Sequence, residues 1–323
     1  MKKYKRFIGI IILLLILAAF TWYITSNWAG FQDIQLSNPA WLIPAILLII
    51  INLYSIGAVL EVAVEPHGVF LSKKEILGLS SITRFANNVT PSYLGTAIRA
   101  VYLKKKYDVS YAKFTSSFAV SNIVQLVISG VLALLILISQ TGFATEYTMI
   151  VFMLVFILFF VIVLSLPLGW LVSFFARLSD RKTKKTAKVF ERLSVVVAEY
   201  GKIRSQPKLF IKMFVWTLVA LLSTTGTVYF IYLSLGLDIP FISAAFIAIL
   251  GSWAIVFAIT PGNIGVSEGL LVIGAQLMGV SIPITIAVAI LRRLVVYLVT
   301  FILASYFAPK LLNMPVTKMA RFR

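Results

Sequence analysis

The chain contains no cysteine, a single histidine (His67), and only 11 acidic residues in 323. Without a thiol it has no thiolate nucleophile, and one histidine leaves no His/Cys cluster for a metal. No paired carboxylates, no nucleophile–base–orienter set and no phosphate-binding P-loop occur in it, so the sequence disfavours catalysis and no cofactor is expected. The scarcity of carboxylates also argues against cation conduction, which relies on rings of Asp or Glu. What the chain has in abundance is hydrophobic residues, 60% against 12% charged. Several apolar runs reach the ~20 residues that a membrane-crossing helix needs, and no stretch of ~100 residues is left for a soluble domain.

The reading is an all-α polytopic membrane protein, one integral domain over 1–323. Full spans are predicted at 7–25, 40–62, 112–139, 147–175, 209–236 and 284–308. The segments 76–103 and 241–280 are set aside as re-entrant hairpins. The N-terminal basic residues and apolar run resemble a signal peptide, but the run continues towards Ile24 without a small-x-small cleavage site, which predicts an uncleaved signal anchor. The formal net charge of +18 is unevenly placed. Connections near 26–39, 140–146 and 237–240 hold Asp33, Glu146 and Asp238 but no Lys or Arg. Basic residues gather at the N-terminus (Lys2, Lys3, Lys5, Arg6), beside the first hairpin, in the central loop and at the C-terminus (Lys310, Lys318, Arg321, Arg323). This is a positive-inside pattern with both termini cytoplasmic. It accounts for the basic charge as orientation and contact with anionic lipid, without a nucleic-acid partner.

One short pattern occurs twice. Thr90-Pro91-Ser92-Tyr93-Leu94-Gly95 and Thr260-Pro261-Gly262-Asn263-Ile264-Gly265 share T-P-x-x-(Leu/Ile)-G, 170 residues apart. Proline removes a backbone donor and glycine permits unusual dihedrals, so Pro91, Gly95, Pro261, Gly262 and Gly265 mark breaks in two apolar helices. In lipid a broken backbone survives only where protein buries it or a polar cavity lines it. Each half reads span, span, broken hairpin, span, giving repeats over 1–139 and 147–308. An odd number of crossings per half makes the second enter the membrane in the opposite sense, the pattern of an inverted-repeat transporter with its site at the breaks. Between them, 177–208 reads as a basic amphipathic connector lying on the inner leaflet, with Val189, Phe190, Leu193 and Val197 on one face.

Ionisable groups at membrane depth are costly and usually face a cavity or partner. Arg292 and Arg293 fall inside the last span; adjacent residues point ~100° apart, so one faces the site and the other snorkels or pairs elsewhere. Glu268, just past the second break, is placed to pair with either of them, to orient an arginine, or to receive an amine. Around the first break lie Arg84, Asn87, Asn88, Thr90 and Arg99; Thr90 before Pro91 reads as an N-cap, and the half-helix N-terminus behind it suits a phosphate or carboxylate. Asn122 and Gln125 read as polar helix–helix contacts. The expected substrate-binding set is Arg99, Glu268, Arg292, Arg293, Asn88, Thr90 and Asn263.

At these residues the sequence resembles the lysylphosphatidylglycerol synthase transmembrane-region family, which includes the membrane half of the bacterial multiple peptide resistance factor. Asn88-Val89-Thr90-Pro91, Gly95 and Arg99 are similar to the family's N-x-x-P…G…R motif, and Pro261-Gly262-Asn263-Ile264-Gly265-Val266-Ser267-Glu268 to its P-G-G-x-G-x-x-E motif. Asn263 stands where glycine is common, and asparagine tolerates left-handed dihedrals. The resemblance implies a prokaryotic cell membrane and lipid handling: a flippase for anionic or aminoacylated, lysylphosphatidylglycerol-like phospholipids or lipid-linked head groups. It also implies no lysyltransferase activity from this chain, which ends at Arg323 without the soluble domain of the full-length enzymes. The rival readings are an ion-coupled small-solute transporter and a non-catalytic membrane subunit serving a separate lipid-modifying transferase or glycosyltransferase.

Overall fold

The computed structural model describes residues 34–89, 94–141, 205–255 and 260–312, with Gly201 and a few positions between 21 and 32. The spans expected at 7–25 and 147–175, most of the connector, and Thr90 and Pro91 lie outside the described residues.

The described chain is helical, with helices α1 (Leu42–Val64), α2 (Lys73–Val89), α3 (Leu94–Tyr107), α4 (Tyr111–Thr141), α5 (Pro207–Ser234), α6 (Phe241–Ser252), α7 (Val266–Leu277) and α8 (Ile282–Leu312). Among the described residues four segments are long and apolar enough to cross a membrane: Pro39–His67, Tyr111–Gln140, Pro207–Ser234 and Ile282–Leu312. They coincide with the four predicted spans that fall within the described residues. The helices α6 and α7, 12 residues each, are apolar but short of the ~20 residues a crossing needs. Both proposed hairpins therefore exist as helix pairs, and the protein is a polytopic membrane protein. The outward surface agrees: Ile290, Leu294, Leu298 and Ile302 recur at helical spacing on α8 and are all exposed. A stripe of that kind is stable against lipid, not against water.

Helix ends follow local chemistry. Pro207 opens α5, where its missing N–H costs nothing. The same helix closes with Gly236 at φ 77°, its N–H on the Leu233 carbonyl and the Leu237 N–H on that of Tyr232, the two bonds of a Schellman cap.

The chain forms two compact units, each drawing segments from both halves of the sequence. The first comprises residues 1–53, 78–96 and 220–323. Its core joins Ala45, Val228, Tyr232, Ile247, Leu271, Ala275 and Val288. Small residues let helices approach within it, as at Gly274, where an added β-carbon would sit 3.1 Å from the Ile247 Cα. Polar pairs tie spans together: Asn52 Nδ2 donates to the Ala220 carbonyl at 2.8 Å, and the Tyr232 and Thr285 hydroxyls lie 2.8 Å apart.

The second unit comprises 54–77 and 97–219. Val59, Val62 and Ala63 pack with Val120, Val124, Leu209 and Met213. Lys212 reaches Glu65 at 3.1 Å. The end of α1 and the start of α5 thus meet, packed against the third and fourth turns of α4.

Candidate binding site at the second helix break

The second break is built by backbone conformation. Thr260 donates its hydroxyl to the Ile264 carbonyl at 2.8 Å, and the Asn263 N–H returns to the Thr260 carbonyl at 3.1 Å. Within this closed turn Gly262, Asn263 and Gly265 have φ of 59°, 54° and 83°. Such values suit glycine and, among other residues, asparagine, which is why Asn263 is tolerated there. Asn263 shapes the turn through its backbone.

Glu268 sits three residues after Gly265, in the first turn of α7. Its carboxylate accepts the Gly265 N–H at 2.7 Å and the Ser267 hydroxyl at 3.0 Å. It also forms an ion pair with the Arg293 guanidinium at 2.6 Å. Arg293 donates in addition to Ser267 Oγ (2.8 Å) and Tyr297 Oη (3.2 Å), with its guanidinium 5.8 Å from the Tyr297 ring centre. A carboxylate at a helix N-terminus, where the dipole favours it, has therefore drawn in a cation from α8. This resolves which arginine Glu268 takes. At the N-terminus of α7 this carboxylate takes the anion position, and both of its oxygens are engaged. Ser267 and Tyr297 complete the lock. Sequence reasoning missed them because neutral hydroxyls carry no charge signal, although Tyr297 lies one helical turn after Arg293.

Arg292 behaves differently. It lies ten residues into the 31-residue α8, half-buried, within electrostatic reach of Arg84, Glu268 and Arg293. No hydrogen bond or ion pair to its guanidinium occurs among the described residues. Arg292 and Arg293 thus lie beside one carboxylate, and that carboxylate is committed to Arg293.

The first hairpin comes to the same place. A β-carbon on Gly262 would lie 3.0 Å from the Asn88 carbonyl oxygen and 3.3 Å from the Tyr297 hydroxyl. Asn88, near the end of α2, therefore touches the second break directly. Its side-chain Nδ2 is buried without a hydrogen-bond partner among the described residues, an arrangement that costs ~1–3 kcal/mol unless something answers it. The tip of the first hairpin is held by Asn87, which accepts the Thr96 N–H at 3.3 Å, and by Gly95, where a β-carbon would overlap the Thr83 carbonyl oxygen. Along α2, Phe85 packs on Phe301 of α8 at 5.6 Å between ring centres.

Asn88, Arg292, Arg293, Glu268 and Asn263 are thus gathered in the first unit, with Arg84 added. Arg99 belongs to the second unit, where it is 4% exposed. Asn122, also there, donates to the Phe118 carbonyl of its own helix at 2.9 Å.

Residues 6–304 match the family model for the lysylphosphatidylglycerol synthase TM region. The chain is also similar to UPF0104 membrane protein MJ1078 of Methanocaldococcus jannaschii, 27% identical over 217 residues, covering 66% of this chain and 88% of that protein. No solved structure matches the chain.

Proposed function

The chain belongs to the lysylphosphatidylglycerol synthase TM region family, and from that premise we propose that it carries phosphate-bearing lipid head groups across the bilayer. The observation that supports this reading most is Arg292: a guanidinium at mid-span, beside two others, whose nearest carboxylate is already bound to Arg293. A phosphodiester answers such a group with charge and with paired acceptor oxygens. The Asn88 amide, unpartnered among the described residues, supplies a further donor. The head group enters where the two breaks meet, while its acyl chains stay in lipid. Anionic phospholipids, aminoacylated ones and lipid-linked head groups all carry the required phosphate. The chain acts as a carrier, not a catalyst, in a prokaryotic plasma membrane with both termini cytoplasmic, and its two oppositely oriented halves alternate the exposure of the site.

The test is leaflet exchange. Purified protein in vesicles containing head-group-labelled phosphatidylglycerol should speed the label's loss of protection from an external quencher, relative to protein-free vesicles. A rate equal to that of protein-free vesicles, for phosphatidylglycerol and its lysyl ester alike, would overturn the reading.

A further inference from the structure

We propose that Lys73, Lys74, Lys105, Lys113 and Lys208 form a binding surface for anionic phospholipid head groups, separate from the site at the breaks. All five lie in the second unit and are exposed. Their level follows from the spans they adjoin. Lys73 and Lys74 come six and seven residues after the span ending at His67, while Lys113 and Lys208 occupy the first turns of spans beginning at Tyr111 and Pro207. The Lys212–Glu65 pair and the packing of Leu209 against Val62 and Ala63 hold the span ends at His67 and Pro207 together.

The base of the first hairpin brings the lysines of α2 and α3 side by side. Glu75, 4% exposed, accepts from Ser72 Oγ (2.7 Å), Tyr102 Oη (2.7 Å), Tyr107 Oη (2.8 Å) and Lys106 Nζ (2.9 Å). That clasp fixes Lys73 and Lys74 on one strand of the hairpin base and Lys105 on the other. Three carboxylates of this unit are already paired: Glu75 with Lys106, Glu65 with Lys212, and Asp108 with Lys104 at 2.7 Å. None of Lys73, Lys74, Lys105, Lys113 and Lys208 has an ion pair among the described residues. Exposed, unpaired like charges on one unit repel, and they attract any anion that can spread across them.

Lipid fits this surface better than an acidic soluble partner because of what borders it. Phe70 is 65% exposed, three residues past a span end, and Tyr111 is 53% exposed at a span start. Exposed aromatic rings at that level sit among head groups and acyl-chain ends, and lysines beside them meet lipid phosphates.

The experiment reads lipid association, so its failure is separable from failure of head-group transfer. The protein is reconstituted in phosphatidylcholine vesicles with trace spin-labelled phosphatidylglycerol or phosphatidylcholine, and the motionally restricted fraction of each is measured. Wild type should favour the anionic label by about threefold at low salt, weakening as salt is raised. The Lys73→Gln/Lys74→Gln/Lys105→Gln variant should fall to near parity, whereas Lys310→Gln, in the first unit, should match wild type. Should the triple variant fail to fold, Lys105→Gln alone should still lower the ratio. No preference in wild type, or an undiminished preference in the folded triple variant, overturns the proposal. So does saturable binding of a polyglutamate peptide with no lipid preference, which would assign the surface to an acidic protein.

Discussion

The two hairpins use one device at opposite ends. In the first, Ser72 caps α2 and Glu75, three residues on, accepts the Ser72 N–H at 3.0 Å; in the second, Glu268 accepts the N–H of Gly265 three residues earlier. Each carboxylate closes its own helix start and then takes a cation from another helix, Lys106 in one case and Arg293 in the other. The difference is position. Glu75 lies at the open base of its hairpin among lysines, where the pair works as a clasp. Glu268 lies at the break itself, against a span at mid-depth, where an unpaired charge is most costly. The first hairpin is polar and held by hydrogen bonds, whereas α6 and α7 are apolar and held by close contacts such as Leu271 against Gly251. The first hairpin is clasped at its mouth by Glu75, whereas the second is locked beside its break by Glu268.

That contrast can be broken experimentally. The largest effect is expected from Glu268→Ala, which strands Arg293 and uncaps α7 together; a loss of about 3–5 kcal/mol should appear as a lowered thermal midpoint in detergent. Gly95→Ala should follow at about 2–3 kcal/mol, since a β-carbon must force the Thr83 carbonyl and α2 away; a midpoint matching wild type would refute the close approach. Glu75 should reveal itself through pH. Burial alone would raise its carboxyl, but the hydrogen bonds from Ser72, Lys106 and Tyr102 outweigh it and hold the group at about 2, against 4.5 ordinarily. A depressed carboxyl stabilises the fold fully above its unfolded value and loses that contribution as pH falls, here between about 4.5 and 2. Glu75→Gln should be less stable at neutral pH, and the difference from wild type should shrink across that window; a constant difference would contradict the clasp. The smallest effect is expected at Gly269 on α7, where a β-carbon meets nothing within 4 Å. Gly269→Ala should gain up to about 1 kcal/mol from helix propensity alone, and a clear loss of stability would show a contact there.

Much of the architecture was legible because bilayer physics writes it coarsely. Long apolar runs gave α1, α4, α5 and α8, and the Thr260-Pro261 motif located the second break. The break residues were readable as types: Gly262 has a positive φ, and a β-carbon there would press to 3.0 Å from the Asn88 carbonyl oxygen. The pairing of charges was not readable. Arg292 and Arg293 are neighbours, and only the rotation of α8 against α7 decides which one meets Glu268. Arg99 follows the first break closely in sequence, yet helix α3 carries it into the second unit. The Glu75 clasp left one usable trace, the Ser72-Lys73-Lys74-Glu75 capping box. The tyrosines that complete it lie about 30 residues away, beyond any local pattern.

The central claim is that Arg293 is spent on Glu268 while Arg292 is kept for a phosphate. The most direct measurement is the leaflet-exchange rate of Arg292→Gln beside its thermal midpoint. The account predicts a rate roughly tenfold or more below wild type, equivalent to ~1.4 kcal/mol or more of lost transition-state stabilisation, with the midpoint preserved. A folded Arg292→Gln protein exchanging phosphatidylglycerol at the wild-type rate would contradict it.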